Sequence, residues 1–134
     1  MELASASPPP VRHRLYLHLA WTTLDGLPLV GPRQAPGLER QLIALCRRLD
    51  VEPVEVAAAA DRVHLLVRLK PVHAVGAVAA RLKRGSAEAA ARRSEPIRWG
   101  RGWAAATVAP GDVRRKKRTL AARSLAAGKL TPGS

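Results

Sequence analysis

The sequence predicts an α+β domain built on an antiparallel sheet with helices packed on one side. Three observations predict it. Residues 14–23 and 62–69 are rich in strand formers, the first with clear alternation. Two longer stretches, 38–49 and 75–92, carry apolar residues at helical spacing. Two apolar-rich runs, 51–59 and 62–69, follow one another across a short break, which reads most simply as adjacent strands.

The elements follow in order. Residues 1–11 are small, polar and proline-rich and are expected to form a disordered leader. Arg14 to Thr23 (RLYLHLAWTT) is the first strand. Leu24 to Gly37 contains three prolines and three glycines and is expected to be a loop. In the first helix Leu38, Leu42, Leu45, Cys46 and Leu49 form the inward stripe, with Arg40, Arg47 and Arg48 outward. After the strand pair comes an alanine-rich helix over 75–92, with Val75, Val78, Ala79 and Leu82 inward. A short strand at 103–108 precedes Pro110-Gly111-Asp112, a helix start with Asp112 as the expected N-cap.

The last helix, about 113–125, has a thin apolar stripe. Val113 and Leu120 lie on one face with Lys116 between them, so docking is expected to be weak. A flexible tail is expected over 126–134, leaving 12–125 as the domain. The order is β-α-β-β-α-β plus a terminal helix, the ferredoxin-like (split βαβ) arrangement. In that arrangement both helices cover one face of the sheet, and the other is expected to stay free for a ligand or partner.

Composition narrows the class. The chain has 134 residues, enough for one domain. The run Ala74 to Ala80 is the longest clean apolar stretch, far short of the roughly 20 residues a membrane span requires. Cys46 is the only cysteine, which rules out a disulfide scaffold. No signal peptide is visible at the start, so an intracellular protein is expected.

Charge is distributed unevenly. Residues 1–60 hold six basic and six acidic groups; residues 61–134 hold 17 basic groups against four acids and carry the whole net charge of +13. Codon bias accounts for Arg outnumbering Lys 18 to 5, but not for the scarcity of acids after Asp61. A basic second half predicts a surface for a polyanion. Trp99 and Trp103 flank Arg101, a combination able to stack unpaired bases, although at least one of the two is expected in the core.

The most informative segment is Asp61-Arg62-Val63-His64-Leu65-Leu66-Val67. Residues two apart on a strand share a face, so Arg62 and His64 point the same way. The segment resembles the paired-histidine strand (His-hydrophobic-His) of the HUH nucleases, with Arg in the first histidine position. The surroundings resemble the small single-tyrosine transposases of the insertion sequence 200/605 type and their REP-associated relatives. His18-Leu19-Ala20-Trp21-Thr22-Thr23 is similar to that family's first strand, and Arg81-Leu82-Lys83-Arg84-Gly85-Ser86 to its Leu-Lys-Gly-x-Ser element. Trp99-Gly100-Arg101-Gly102-Trp103 and Ala106-Thr107-Val108 are similar to its Trp-x-x-Gly-Tyr…Ser-Val stretch, and Pro110-x-x-Val113 leads into its nucleophile helix. The resemblance spans about residues 14–125. It implies DNA transposition on single-stranded, hairpin-bearing DNA by a homodimer, in the cytoplasm of a prokaryote and in association with the nucleoid. Paired histidines would hold Mg²⁺ or Mn²⁺, and a tyrosine on the last helix would join covalently to the DNA 5′ end.

The chain departs from that pattern at both chemical positions. A guanidinium has five donors and no lone pair, so Arg62 cannot ligate a cation. The expected tyrosine position falls on Thr119, or on Lys116 with a shorter spacing, and no tyrosine follows Tyr16. Arg123 stands where the family often has Gln. Tyr16 reads as an aromatic packed on a strand. His64 is a vestigial metal ligand, and His18 and His73 have no second ligand at useful spacing and read as surface or core residues. No catalytic set is intact and no cofactor is expected in this copy.

The resulting expectation is a degenerate transposase that binds hairpin-bearing single-stranded DNA without cutting it. The contacts assigned to DNA are Arg62, Lys83, Arg84, Arg101, Arg114, Arg115, Lys117 and Arg118, with Arg62 able to grip a phosphate bidentately in place of metal. Three alternatives stay open: a metal nuclease with another nucleophile, a basic RNA-binding module, and a decayed reading frame.

Overall fold

A computed structural model describes residues 15–126. The expected leader and all but the first residue of the expected tail lie outside the described residues. Four strands form one antiparallel sheet: β1 (Leu15–Thr22), β2 (Glu52–Ala58), β3 (Arg62–Leu69) and β4 (Ala104–Val108). Their order is β2-β3-β1-β4, so the first strand made lies between two made later. This is the ferredoxin-like order predicted above.

Period-two alternation sorts the side chains. Leu17, Leu19 and Trp21 of β1 and Val63, Leu65, Val67 and Leu69 of β3 all turn to one face and are buried. Against that face pack α1 (Ala35–Arg48), through Leu38, Leu42 and Cys46, and α2 (Val75–Arg92), through Val78, Ala79, Leu82 and Ala90. The Cys46 thiol sits within this layer, and burial pushes its pKa up to about 12, leaving it inert. Close approach of the helices depends on Gly85: a Cβ there would lie 2.8 Å from Leu45 Cδ2.

One helix starts earlier than the sequence suggested. α1 begins at Ala35, inside the stretch assigned to a loop, because Pro36 and Gly37 occupy its first turn. Proline is tolerated there, since the first amide hydrogens of a helix have no intrahelical partner. Asp50 and Ser94, at φ +61° and +58°, then terminate α1 and α2 in the left-handed conformation. Val51 N–H donates to Cys46 O, and Glu95 N–H to Ala90 O, completing both ends.

The second face differs from expectation more substantially. It is not free, because α3 (Val113–Ala121) lies across it and packs on β2 and β3. Leu120 is buried among Ala57, Leu66 and Val108, with Val113, Val54 and Tyr16 at the margin. Lys116 occupies the middle of the stripe and is half-buried. Beyond the thin stripe, the residues that follow the helix are tied down. Leu125 N–H donates to Ala58 O at 2.9 Å, and the Ser124 hydroxyl donates to the buried Glu39 carboxylate, which also accepts the Ala58 N–H at 2.8 Å.

Candidate nucleic-acid interface

The face under α3 holds the residues singled out by the motif. On β3 these are Arg62, His64, Leu66 and Arg68; opposite them on β1 stand Thr22, Ala20, His18 and Tyr16. Diagonal neighbours on such a pair are within side-chain reach. His18 Nε2 and His64 Nδ1 lie 3.1 Å apart, with ring centroids at 5.2 Å and planes tilted by 42°. Sequence reasoning gave His18 no partner. The partner is His64, 46 residues away on the adjacent strand, a relation that only the register between strands reveals.

Burial first, and nearby cations second, disfavour the protonated form of both rings. Burial, His18, Arg123 and Arg62 push the His64 pKa down to about 4, against a smaller upward pull from Asp61. Burial, Lys116 and Arg123 lower that of His18. One ring therefore gives its N–H to the other's lone pair. His73 has a separate, structural role: its Nδ1 accepts the Lys70 N–H and its Nε2 donates to Leu49 O, fastening the entry to α2 against the end of α1.

The position on the His64 face that the family resemblance gives to a second metal ligand holds a guanidinium. Arg62 offers no lone pair. The two imidazoles are engaged with each other, Lys116, Arg123 and Arg62 crowd the site with positive charge, and no group of three or more potential ligands occurs among the described residues. Thr119 lies exposed on α3, and its hydroxyl donates back to the Arg115 carbonyl at 3.0 Å. That bond engages the hydroxyl with the helix's own backbone. Tyr16 accepts a hydrogen bond from Arg68 Nη1 at 3.2 Å and packs on the Leu66–Leu120 cluster.

The basic residues fall into separate groups. Arg62, at the start of β3, contacts Asp61 Oδ1 at 3.4 Å and has about half its side chain exposed. With Arg101 it lines a cavity of about 210 Å³ beside Trp103. Lys83, assigned above to DNA, is engaged by the protein: its Nζ donates to Gly100 O at 2.7 Å and Gly102 O at 2.9 Å. It positions the loop that carries Arg101. Arg84 is exposed on α2, in the layer on the opposite side of the sheet from α3.

Arg114, Arg115, Lys117 and Arg118 are exposed along α3, with Arg115 paired to Asp112 at 2.8 Å. Asp112 is thus occupied by that ion pair and makes no capping bond. The indoles divide as well. Trp99 meets Trp21 edge-on at 5.8 Å and donates to the Ser86 hydroxyl, whereas Trp103 remains exposed.

The frame is thus a ferredoxin-like sheet whose histidine-bearing strand lies beneath a strongly basic helix. Residues 11–116 match the profile of the family described as "Transposase IS200 like", and the chain belongs to that family. No curated protein matches it. Among solved structures, a candidate transposase from Deinococcus radiodurans R1 is similar at a TM-score of 0.67 and 21% identity, covering 95% of this chain and 100% of that one. A REP-associated tyrosine transposase bound to a REP hairpin is similar at a TM-score of 0.60 and 12% identity, covering 89% of this chain and 71% of that one. At those identities the two structures establish the shared fold. No helix among the described residues is long and apolar enough to cross a membrane.

Proposed function

We propose that this member of the transposase family binds hairpin-bearing single-stranded DNA and does not cleave it. The observation that carries this reading is Arg62, a half-exposed guanidinium on the strand face of His64, where the family resemblance calls for a metal-binding histidine. A guanidinium there exchanges one chemistry for another. It cannot polarise a phosphodiester as a metal does, but it can hold one bidentately. The second half of the reaction is missing too, because α3 carries Thr119 and no tyrosine.

Binding would draw on Arg62 and Arg101 on one side and on the exposed Arg114, Arg115, Lys117 and Arg118 on the other, with affinity falling steeply as salt rises. Lys83 contributes by shaping the Arg101 loop. The REP hairpin held by a protein of the same fold supports a hairpin substrate here. The family resemblance also implies a homodimer, which light-scattering mass in solution tests.

The direct experiment incubates the protein with 5′-labelled hairpin DNA carrying a single-stranded flank, with and without Mn²⁺, and resolves retardation, cleavage and covalent adducts on one gel. Retardation alone is expected. Metal-dependent cutting or a protein–DNA adduct would overturn the reading, and tighter binding to A-form duplex RNA than to DNA would move the partner to RNA.

A further inference from the structure

We propose that the cavity between the end of β1, the start of β3 and the loop into β4 is a slot for one unpaired nucleotide, its base against Trp103 and its phosphate between Arg62 and Arg101. The inference rests on the DNA-binding reading above and goes beyond it by fixing which groups meet a base.

The chemistry of the walls is divided in the way a nucleotide requires. Ala20, Gly102 and Ala104 carry little or no side chain, so this part of the sheet is left bare beside the indole. Trp103 is 45% exposed, whereas Trp21 and Trp99 are taken up by each other and by Ser86. An indole that its own core leaves uncovered is a stacking surface, and stacking tolerates any base. Arg62 and Arg101 stand at the same cavity from two different elements, and Thr22 adds a hydroxyl. At about 210 Å³ the cavity is smaller than the roughly 300–1,000 Å³ of sites that take drug-sized molecules, and it suits a single planar ring system.

The slot is also held in shape before anything binds. Gly102 adopts φ +81°, a conformation that glycine accepts without strain. Its carbonyl and that of Gly100 both receive Lys83 Nζ, and Gly100 N–H donates to Thr22 O at 2.9 Å. On its other side the indole borders the first turn of α2, where a Cβ on Gly76 would come within 3.5 Å of Trp103 Cζ2. Loop and indole are thus braced against α2 and β1, which lowers the ordering cost of capturing a base.

Two measurements test the slot. The first compares affinity for a DNA hairpin with a short single-stranded 5′ flank and for the same hairpin blunt-ended. Trp103→Ala should weaken the flanked hairpin by roughly ten- to a hundredfold, the loss of one stacked base, and the blunt one by less than about twofold. Trp103→Phe should retain most of the affinity, and unchanged near-ultraviolet circular dichroism from the Trp21–Trp99 pair would show that the fold is intact. Equal losses on both hairpins, or none on the flanked one, would overturn the proposal while leaving DNA binding in place.

The second measurement follows quenching of tryptophan fluorescence by dAMP alone. Quenching that disappears in Trp103→Phe and weakens several-fold in Arg62→Ala and in Arg101→Ala is expected. If the protein binds neither hairpin, the DNA-binding reading fails, and dAMP quenching at Trp103 still upholds the slot. Absence of dAMP quenching at millimolar concentration would overturn it.

Discussion

His18 and His64 sit on neighbouring strands and share a single hydrogen bond of 3.1 Å beneath a helix that carries Lys116. Neither ring can take a second proton cheaply, because the charge would be buried and would face Arg62, Lys116 and Arg123. In the unfolded chain His64 titrates near 6.5, whereas in the fold it does so near 4. Between those values the unfolded state binds more protons, so stability is complete above about pH 6.5 and falls as the pH drops toward 4. The loss at this one site is on the order of 3 kcal/mol. Urea titrations at pH 7.5 and 4.5 should show the difference, and His64→Gln, which does not titrate, should flatten it by about 2 kcal/mol.

Glu39 predicts a different failure. Its carboxylate is buried and accepts from the Ala58 amide and from the Ser124 hydroxyl. Glu39→Ala strands both donors and should cost about 2–4 kcal/mol by chemical denaturation. Ser124→Ala removes one donor, leaves the amide satisfied and should cost about 1 kcal/mol.

The cations of α3 predict a salt dependence. Each phosphate contact contributes roughly one unit to the slope of log affinity against log salt. The triple variant Arg114→Ala, Lys117→Ala, Arg118→Ala should therefore lower that slope for hairpin DNA by about 2–3, and binding should weaken to a similar degree across sequences. An unchanged slope would make these residues a solvated face of the helix.

The missing chemistry predicts what restoring it requires. Arg62→His removes a positive charge and adds a nitrogen ligand on the His64 face; Thr119→Tyr adds a phenol on α3. Neither substitution alone should produce cutting. Together, with Mn²⁺, they should yield a covalent protein–DNA adduct visible on a denaturing gel.

Much of this was legible in the residues. The bounds of β3 and α2 followed from apolar spacing alone, because both segments are long and have one buried face. Position 62 was readable because a strand's alternation is local. What escaped were relations between distant residues. Nothing near His18 indicates His64, nothing near Glu39 indicates Ser124, and the docking of α3 depends on residues that follow its thin stripe. Lys83 looked like one more basic residue until its two carbonyl partners were visible. The start of α1 is hidden because Pro36 and Gly37 are loop formers that the first turn of a helix also accepts.

The placement of β1 in the middle of the sheet imposes an order on assembly. A ribosome delivers this strand first, yet its edges are covered only when residues 62–69 and then 104–108 arrive. Glu39 waits longer still, because its hydroxyl partner is 85 residues downstream. Until residues 104–108 arrive, one edge of β1 is left open, and an open strand edge is a template for association. Final consolidation comes after translation of the last helix, and the growing chain depends on whatever shields that edge in the interval.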